Sequence, residues 1–261
     1  MSGNKPVLLL AGDSRLCEFD SFKYEHFCFR YVIKRGAVIE DLVNETLSIL
    51  REYKGTDRSI IVKIACGINE FTKFEHHKEG KDLRLKSDVS SRTVFNRLKS
   101  LKEKIKTELP TAVVGFITVP TLSFINYRNF LRLNPRSYKR SGRETRSASD
   151  NELQADQAKL DKELTVLNAD IKLENSRKQS GLLKGCYTIS WHNSISKVSI
   201  RKRRSGSRKV VRNNFADLHD GLHPKNSLKR RWHKQLVKCA TSELDLIRQY
   251  NLKTTKVTVT Q

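Results

Sequence analysis

Three short apolar runs, at 7–11 (VLLLA), 27–33 (FCFRYVI) and 60–65 (IIVKIA), each break off just before a glycine-containing polar turn, and nothing constrains the fold of this chain more. Runs of this length without regular polar alternation predict strands buried on both faces, the kind found in parallel sheets covered by helices. The segments between them agree. Ile39, Leu42, Val43, Leu47 and Leu50 recur at helical spacing and predict a helix over 38–53. Ser87 or Asp88 is placed to cap a long helix that runs to Leu109 and ends at Pro110, ahead of a fourth strand at 112–119. Strands alternating with helices in this way predict a doubly wound α/β sheet.

The second half is more basic. Arg128, Arg132, Arg136, Lys139, Arg140, Arg143 and Arg146 are scattered among Ser, Asn and Gly and predict an exposed basic loop over 126–150. Helical periodicity returns over 153–175, where Leu160, Leu164, Leu167 and Ile171 are spaced four, three and four, and 186–191 reads as a fifth strand. A second basic loop is predicted at 197–212, with eight Lys or Arg and no acid. A closing helix over 226–250 has a basic start, Lys229, Arg230, Arg231 and Lys234, and an apolar side of Trp232, Leu236, Val237, Leu244 and Ile247. The chain thus reads as one domain over 1–250 with a tail at 251–261.

The formal charge of +23, from 51 Lys+Arg against 28 Asp+Glu, exceeds what solubility requires and creates a field that attracts polyanions, nucleic acid foremost. No apolar stretch approaches the roughly 20 residues of a membrane helix, and the first apolar run is too short for a signal-peptide core. Five widely spaced cysteines outside any CxxC pattern predict reduced thiols in a cytoplasmic or nuclear protein, with no structural metal. His76 and His77 are likewise expected to bind no metal.

Polar residues with chemical potential fall just beyond the predicted strands. Gly12-Asp13-Ser14-Arg15-Leu16 follows the first, Gly36 the second and Gly67-Ile68-Asn69-Glu70 the third, while Asp220-Gly221-Leu222-His223-Pro224 precedes the closing helix. Open α/β sheets bind ligands in the crevice at these strand ends. A serine, a histidine and an aspartate are the set needed to activate a hydroxyl, because Ser is a weak nucleophile until a base takes its proton.

In these four blocks, in this order, the chain resembles the SGNH (GDSL-type) hydrolases over most of its length, from about Pro6 to the closing helix. The resemblance implies a three-layer αβα sandwich with a flavodoxin-like, five-stranded parallel sheet and cleavage of acyl or acetyl esters without metal or other cofactor. Carried over residue by residue, it implies Ser14 as nucleophile, His223 as general base and Asp220 as the carboxylate that fixes the imidazole. The Ser14 and Gly36 backbone N–H groups and the Asn69 side-chain amide would form the oxyanion hole, and Asp13 would be a structural residue of the turn. Where the family's third block commonly reads Gly-x-Asn-Asp, Glu70 stands here, outside the expected donor set.

The basic insertions depart from a compact esterase and carry an alternative reading, an RNA- or single-stranded-DNA-binding protein on an SGNH-like scaffold. Its binding residues would be Arg201, Lys202, Arg203, Arg204, Arg208 and Lys209, contacting phosphates without reading sequence. Tyr138 and Trp191 read as core or loop-packing aromatics, with base stacking as the alternative. SGNH-type esterase domains also occur in proteins of LINE-type retrotransposons, which this basic chain is similar to.

Overall fold

The computed structural model describes residues 5–22, 25–78, 80–134, 146–179, 181–203 and 206–259, with the backbone alone for 197–211 and 254–259. Its central sheet contains β1 (Val7–Gly12), β2 (Cys28–Ile33), β3 (Ile60–Ala65) and β6 (Val113–Phe116), all parallel in the order β2-β1-β3-β6. This is the flavodoxin-like order without its outermost strand. The first three strands lie where the apolar runs predict them.

Each strand alternates between two cores. Leu9, Val62 and Val114 face one, with Leu50 of helix α1 (Val43–Arg51), Leu98 and Leu101 of α3 (Ser91–Glu108), and Leu160, Leu164 and Leu167 of α5 (Asp150–Ser176). Leu8, Leu10 and Ile61 face the other, with Trp232, Leu236 and Ala240 of the closing helix α7 (Asn226–Val259). The result is the expected three-layer αβα sandwich. The closing helix runs past the Tyr250 end predicted for it.

The sheet has four strands rather than the five expected. Around 186–191 only Ile189 bridges to Ile117, although Thr118 N–H also donates to the Ile189 carbonyl. The reason is visible along β6, whose free edge is satisfied by buried side-chain amides. Gln179 accepts from Val114 N–H and donates to its carbonyl; Asn175 does the same at Phe116 and Asn168 at Val119. An exposed strand edge is normally completed by another strand; here two asparagines of α5 and a glutamine just beyond it complete it instead. Asn175→Ala strands two buried backbone groups at Phe116, for an expected cost of about 2–4 kcal/mol. Urea unfolding checks this, and a loss below about 0.5 kcal/mol contradicts the edge-capping role.

Other differences lie in the insertions. β4 (Thr72–His77) and β5 (Gly80–Leu85) form an antiparallel hairpin after the one-turn helix α2 (Ile68–Phe71). The predicted basic loop begins as a helix, α4 (Phe124–Leu133), capped by the Ser123 side chain. Its arginines are used internally: Arg128 is buried and donates to the Ala148 carbonyl at 2.8 Å and to Asp150, while Arg132 donates to Ser147. Arg146 pairs with Glu152 at 2.6 Å. Arg136, Tyr138, Lys139, Arg140 and Arg143 lie outside the described residues.

The second predicted basic loop is a two-stranded ribbon. After the short helix α6 (His192–Ile195), β7 (Ser196–Arg203) pairs antiparallel with β8 (Gly206–Asn213). No helix among the described residues is long and apolar enough to cross a membrane.

Candidate active site

The site stands at the carboxyl ends of the parallel strands. Gly12 is in register with Ile33 on one side and Ala65 on the other, so β1, β2 and β3 end level. Ser14, Gly36 and Asn69 follow within a few residues of those ends. The strand order reverses here, between β1 and β3, which is where this class of sheet opens a crevice.

Beyond β1 the chain makes a single 3-10 turn, Ser14–Leu16. Asp13 caps it by accepting from Arg15 N–H, and the same carboxylate takes the Arg15 guanidinium at 2.9 and 2.7 Å. Arg15 also donates to the Pro120 carbonyl at 3.1 Å. Asp13 and Arg15 are both buried, so they form an internal strut that fixes the serine turn, the structural role expected of Asp13.

Ser14 Oγ lies 3.0 Å from His223 Nε2, and His223 Nδ1 lies 2.6 Å from Asp220 Oδ2. The three residues predicted for the site are therefore joined in one hydrogen-bonded line, although Ser14 and His223 are 209 positions apart. The Asp220 carboxylate does more than touch the ring. Its other oxygen accepts the backbone N–H groups of Leu222 at 2.9 Å and His223 at 2.7 Å. Burial pushes this carboxyl up, but the bonds from the His223 ring and from the two N–H groups outweigh it and hold it below the ordinary aspartate value. The group stays ionised.

The loop carrying His223 is fastened at several points. His219 N–H donates to the His223 carbonyl and Ser123 N–H to the Gly221 carbonyl, both at 2.7 Å. Gly221 has φ +86° and is wedged against α4, where an added Cβ would sit 2.8–2.9 Å from Asn126 Cβ, Ser123 O and Tyr127 N. Gly221→Ala therefore meets both positive-φ strain and backbone collision. The expected result is a drop in turnover of at least about tenfold as His223 shifts from Ser14, since small misplacements near the chemistry can cost 10²-fold. Steady-state kinetics on the folded variant checks it; unchanged turnover contradicts the wedge.

The second cluster lies across the crevice. Asn69 Nδ2 donates to the Ala37 carbonyl at 2.9 Å, which ties it to the loop that carries Gly36. Gly36 is exposed, with φ +69° and open space where a Cβ would stand, so the turn's conformation, not crowding, favours glycine here. Glu70, outside the expected donor set, has a structural role that its position in the chain does not announce. It is buried, with one oxygen accepting Ile39 N–H at 2.7 Å and the other paired with Arg97. Glu70 thus clamps the loop after β2 to the residue next to Asn69, and Lys86 Nζ adds a bond to the Asn69 carbonyl at 3.0 Å.

Of the residues expected to contact nucleic acid, Arg201, Lys202, Arg203, Arg208 and Lys209 fall on β7 and β8, where only the backbone is described, and Arg204 lies outside the described residues. Trp191 is buried and stacked on Trp232, with ring centroids 4.6 Å apart, so it is a core residue and offers no face to a base. Among the described residues no three His, Cys, Asp or Glu side chains gather into a metal-binding group.

No protein-family profile matches the chain, and no curated protein matches it in sequence. Solved structures similar to it include a carbohydrate esterase family 3 protein from Talaromyces cellulolyticus, at 10% identity over 94% of this chain and 99% of that one, with a TM-score of 0.47. A GDSL-like lipase from Parabacteroides merdae is similar at 13% identity over 91% and 96% of the two chains, with a TM-score of 0.40. The lipase/acylhydrolase from Enterococcus faecalis is similar at 12% identity over 89% and 94%, with a TM-score of 0.35.

Proposed function

We propose that the protein is a serine ester hydrolase of SGNH type that acts on short acyl esters. The observation that carries this reading is the unbroken line from Ser14 Oγ through the His223 ring to Asp220, at 3.0 and 2.6 Å. Three common residues become a device only when aligned this way. The ionised Asp220 accepts Nδ1–H, which leaves the Nε2 lone pair facing the Ser14 hydroxyl.

In the proposed reaction Ser14 Oγ attacks the ester carbonyl while its proton passes to His223 Nε2. The oxyanion that forms is met by the Ser14 and Gly36 backbone N–H groups and by the Asn69 amide, whose second N–H is not needed by Ala37. Collapse breaks the bond to the alcohol, which leaves with the proton held on Nε2. Water then attacks the acyl-enzyme by the same route, with His223 again as base, releasing the acid and restoring Ser14.

The space behind the serine turn holds no acyl chain. The cavity lined by Arg15, Leu16, Ile117, Pro120, Trp191 and Trp232 holds about 10 Å³, enough for one water and not for an alkyl chain. Hydrolysis of a short-chain aryl ester tests the reading: turnover is expected from the wild-type protein and a loss of at least about 10³-fold in Ser14→Ala. Equal turnover by the two proteins contradicts it.

A further inference from the structure

The geometry points to the ribbon formed by β7 and β8 as a docking arm for the phosphate backbone of double-stranded DNA. Among the described residues the two strands form a sheet of their own, separate from the central one. The ribbon is anchored at its base, where Ser196 Oγ donates to Asn213 at 2.6 Å, Asn213 donates to Asp161 of α5 at 2.7 Å, and Asn214 N–H donates to the Ile195 carbonyl at 2.7 Å. It therefore extends from a fixed root, close in sequence to the Asp220–His223 loop.

Register sorts the charges. Lys197 lies opposite Arg212, Ser199 opposite Val210, Arg201 opposite Arg208 and Arg203 opposite Gly206, so one face carries Lys197, Arg201, Arg203, Arg208 and Arg212. The other face carries Val198, Ile200 and Val211, with Lys202 and Lys209 toward the tip. The sequence from 196 to 213 contains no acid to offset any of these charges.

Two of the facing pairs, Lys197 with Arg212 and Arg201 with Arg208, set like charges directly across the strands, an arrangement that weakens a sheet. A two-stranded ribbon alone is already marginal in water. A face built against its own stability in this way is accounted for by a ligand whose negative charges lie along it. Repeated phosphates do so, and a two-stranded ribbon is of a width that the major groove of B-form DNA admits.

The same observations revise the single-strand expectation. Binding of single strands rests on aromatic platforms that stack bases, and the ribbon contains none. Beyond the ribbon the chain passes through the 3-10 turn Phe215–Asp217 to Asp217, which pairs with Arg231. This links the arm to the basic start of α7, where Arg230, Lys234 and Lys238 are exposed at four-residue spacing.

The test uses the full chain and fluorescence anisotropy on four probes: a 20-base-pair DNA duplex, the RNA duplex of the same sequence, the single DNA strand, and vesicles rich in phosphatidylserine. A four-site variant, Lys197→Gln, Arg201→Gln, Arg208→Gln and Arg212→Gln, is compared with Lys202→Gln, Lys209→Gln on the opposite face. Tight binding to the DNA duplex is expected, with log Kd rising steeply with log salt, and weaker binding to the RNA duplex, whose major groove is deep and narrow. The four-site variant should bind at least about tenfold more weakly, with a salt slope lower by about 3 to 4, while the two-site variant changes the slope by less than about 1. Retained fluorophosphonate labelling of Ser14 shows that the variants are folded and that their site is independent of the arm. The inference is overturned by equal effects per charge on the two faces, by unchanged binding in the four-site variant, by preference for the single strand, or by binding to the vesicles alone.

Discussion

Lys63→Met is expected to destabilise the protein by about 3–5 kcal/mol, more than any other single change outside the site, because it leaves a carboxylate buried with no counter-charge. Lys63 stands on the central strand β3 and Glu243 on α7, both with fully buried side chains, and their charged atoms are 2.5 Å apart. Glu243 also accepts Tyr187 N–H at 2.8 Å, while its second oxygen has no hydrogen-bond partner among the described residues. Burial works against the Lys63 ammonium, but Glu243 beside it more than compensates and raises its pKa above the ordinary lysine value. The pair is therefore ionic inside the core, joining the sheet to its covering helix.

The companion variant separates charge from packing. In Lys63→Met, Glu243→Gln no charge remains, the glutamine can still accept from Tyr187, and most of the lost stability should return. Chemical denaturation of the three proteins measures both numbers. A single variant that loses less than about 1 kcal/mol, or a double variant no better than the single, contradicts a working ion pair.

Asp220→Asn should lower turnover by about 10³- to 10⁴-fold with little change in thermal stability. The asparagine oxygen can still take the backbone N–H groups of Leu222 and His223, which hold the loop. Its amide, however, presents N–H toward His223 Nδ1 where the carboxylate accepted one. The ring must then carry its proton on Nε2, which can no longer take a proton from Ser14. Turnover within tenfold of wild type would remove Asp220 from the proposed mechanism; a collapse in thermal stability would reassign it to the loop alone.

Local signals made the layered architecture and the three aligned residues legible in the sequence. Strands buried on both faces read as unbroken apolar runs, and Ser14, Asp220 and His223 sit in short blocks beside strand and helix boundaries. Long-range pairing was hidden. Lys63 and Glu243 are 180 positions apart, and neither residue announces a partner. Glu70 lay next to a predicted site residue, yet its work depends on Ile39 and Arg97, which only the fold brings to it.

The missed elements have particular causes. The strand expected at 186–191 rests on apolar content, whereas Asn168, Asn175 and Gln179 satisfy the edge it would occupy. Phe124, Tyr127, Arg128 and Leu131 of α4 do have helical spacing, but the surrounding arginines read as a solvated loop, and only the fold buries Arg128 against Ala148. The hairpin of β4 and β5 is polar along much of both strands, as the run Glu75-His76-His77 shows, so it lacks the alternation that marks a strand.

The proposed hydrolase function rests on Ser14 being activated by His223, and covalent labelling with a fluorophosphonate serine probe, read by intact mass, tests that most directly. One adduct is expected on the wild-type protein and none on Ser14→Ala. A folded wild-type protein that takes no label, or a Ser14→Ala protein that labels equally, would contradict the account.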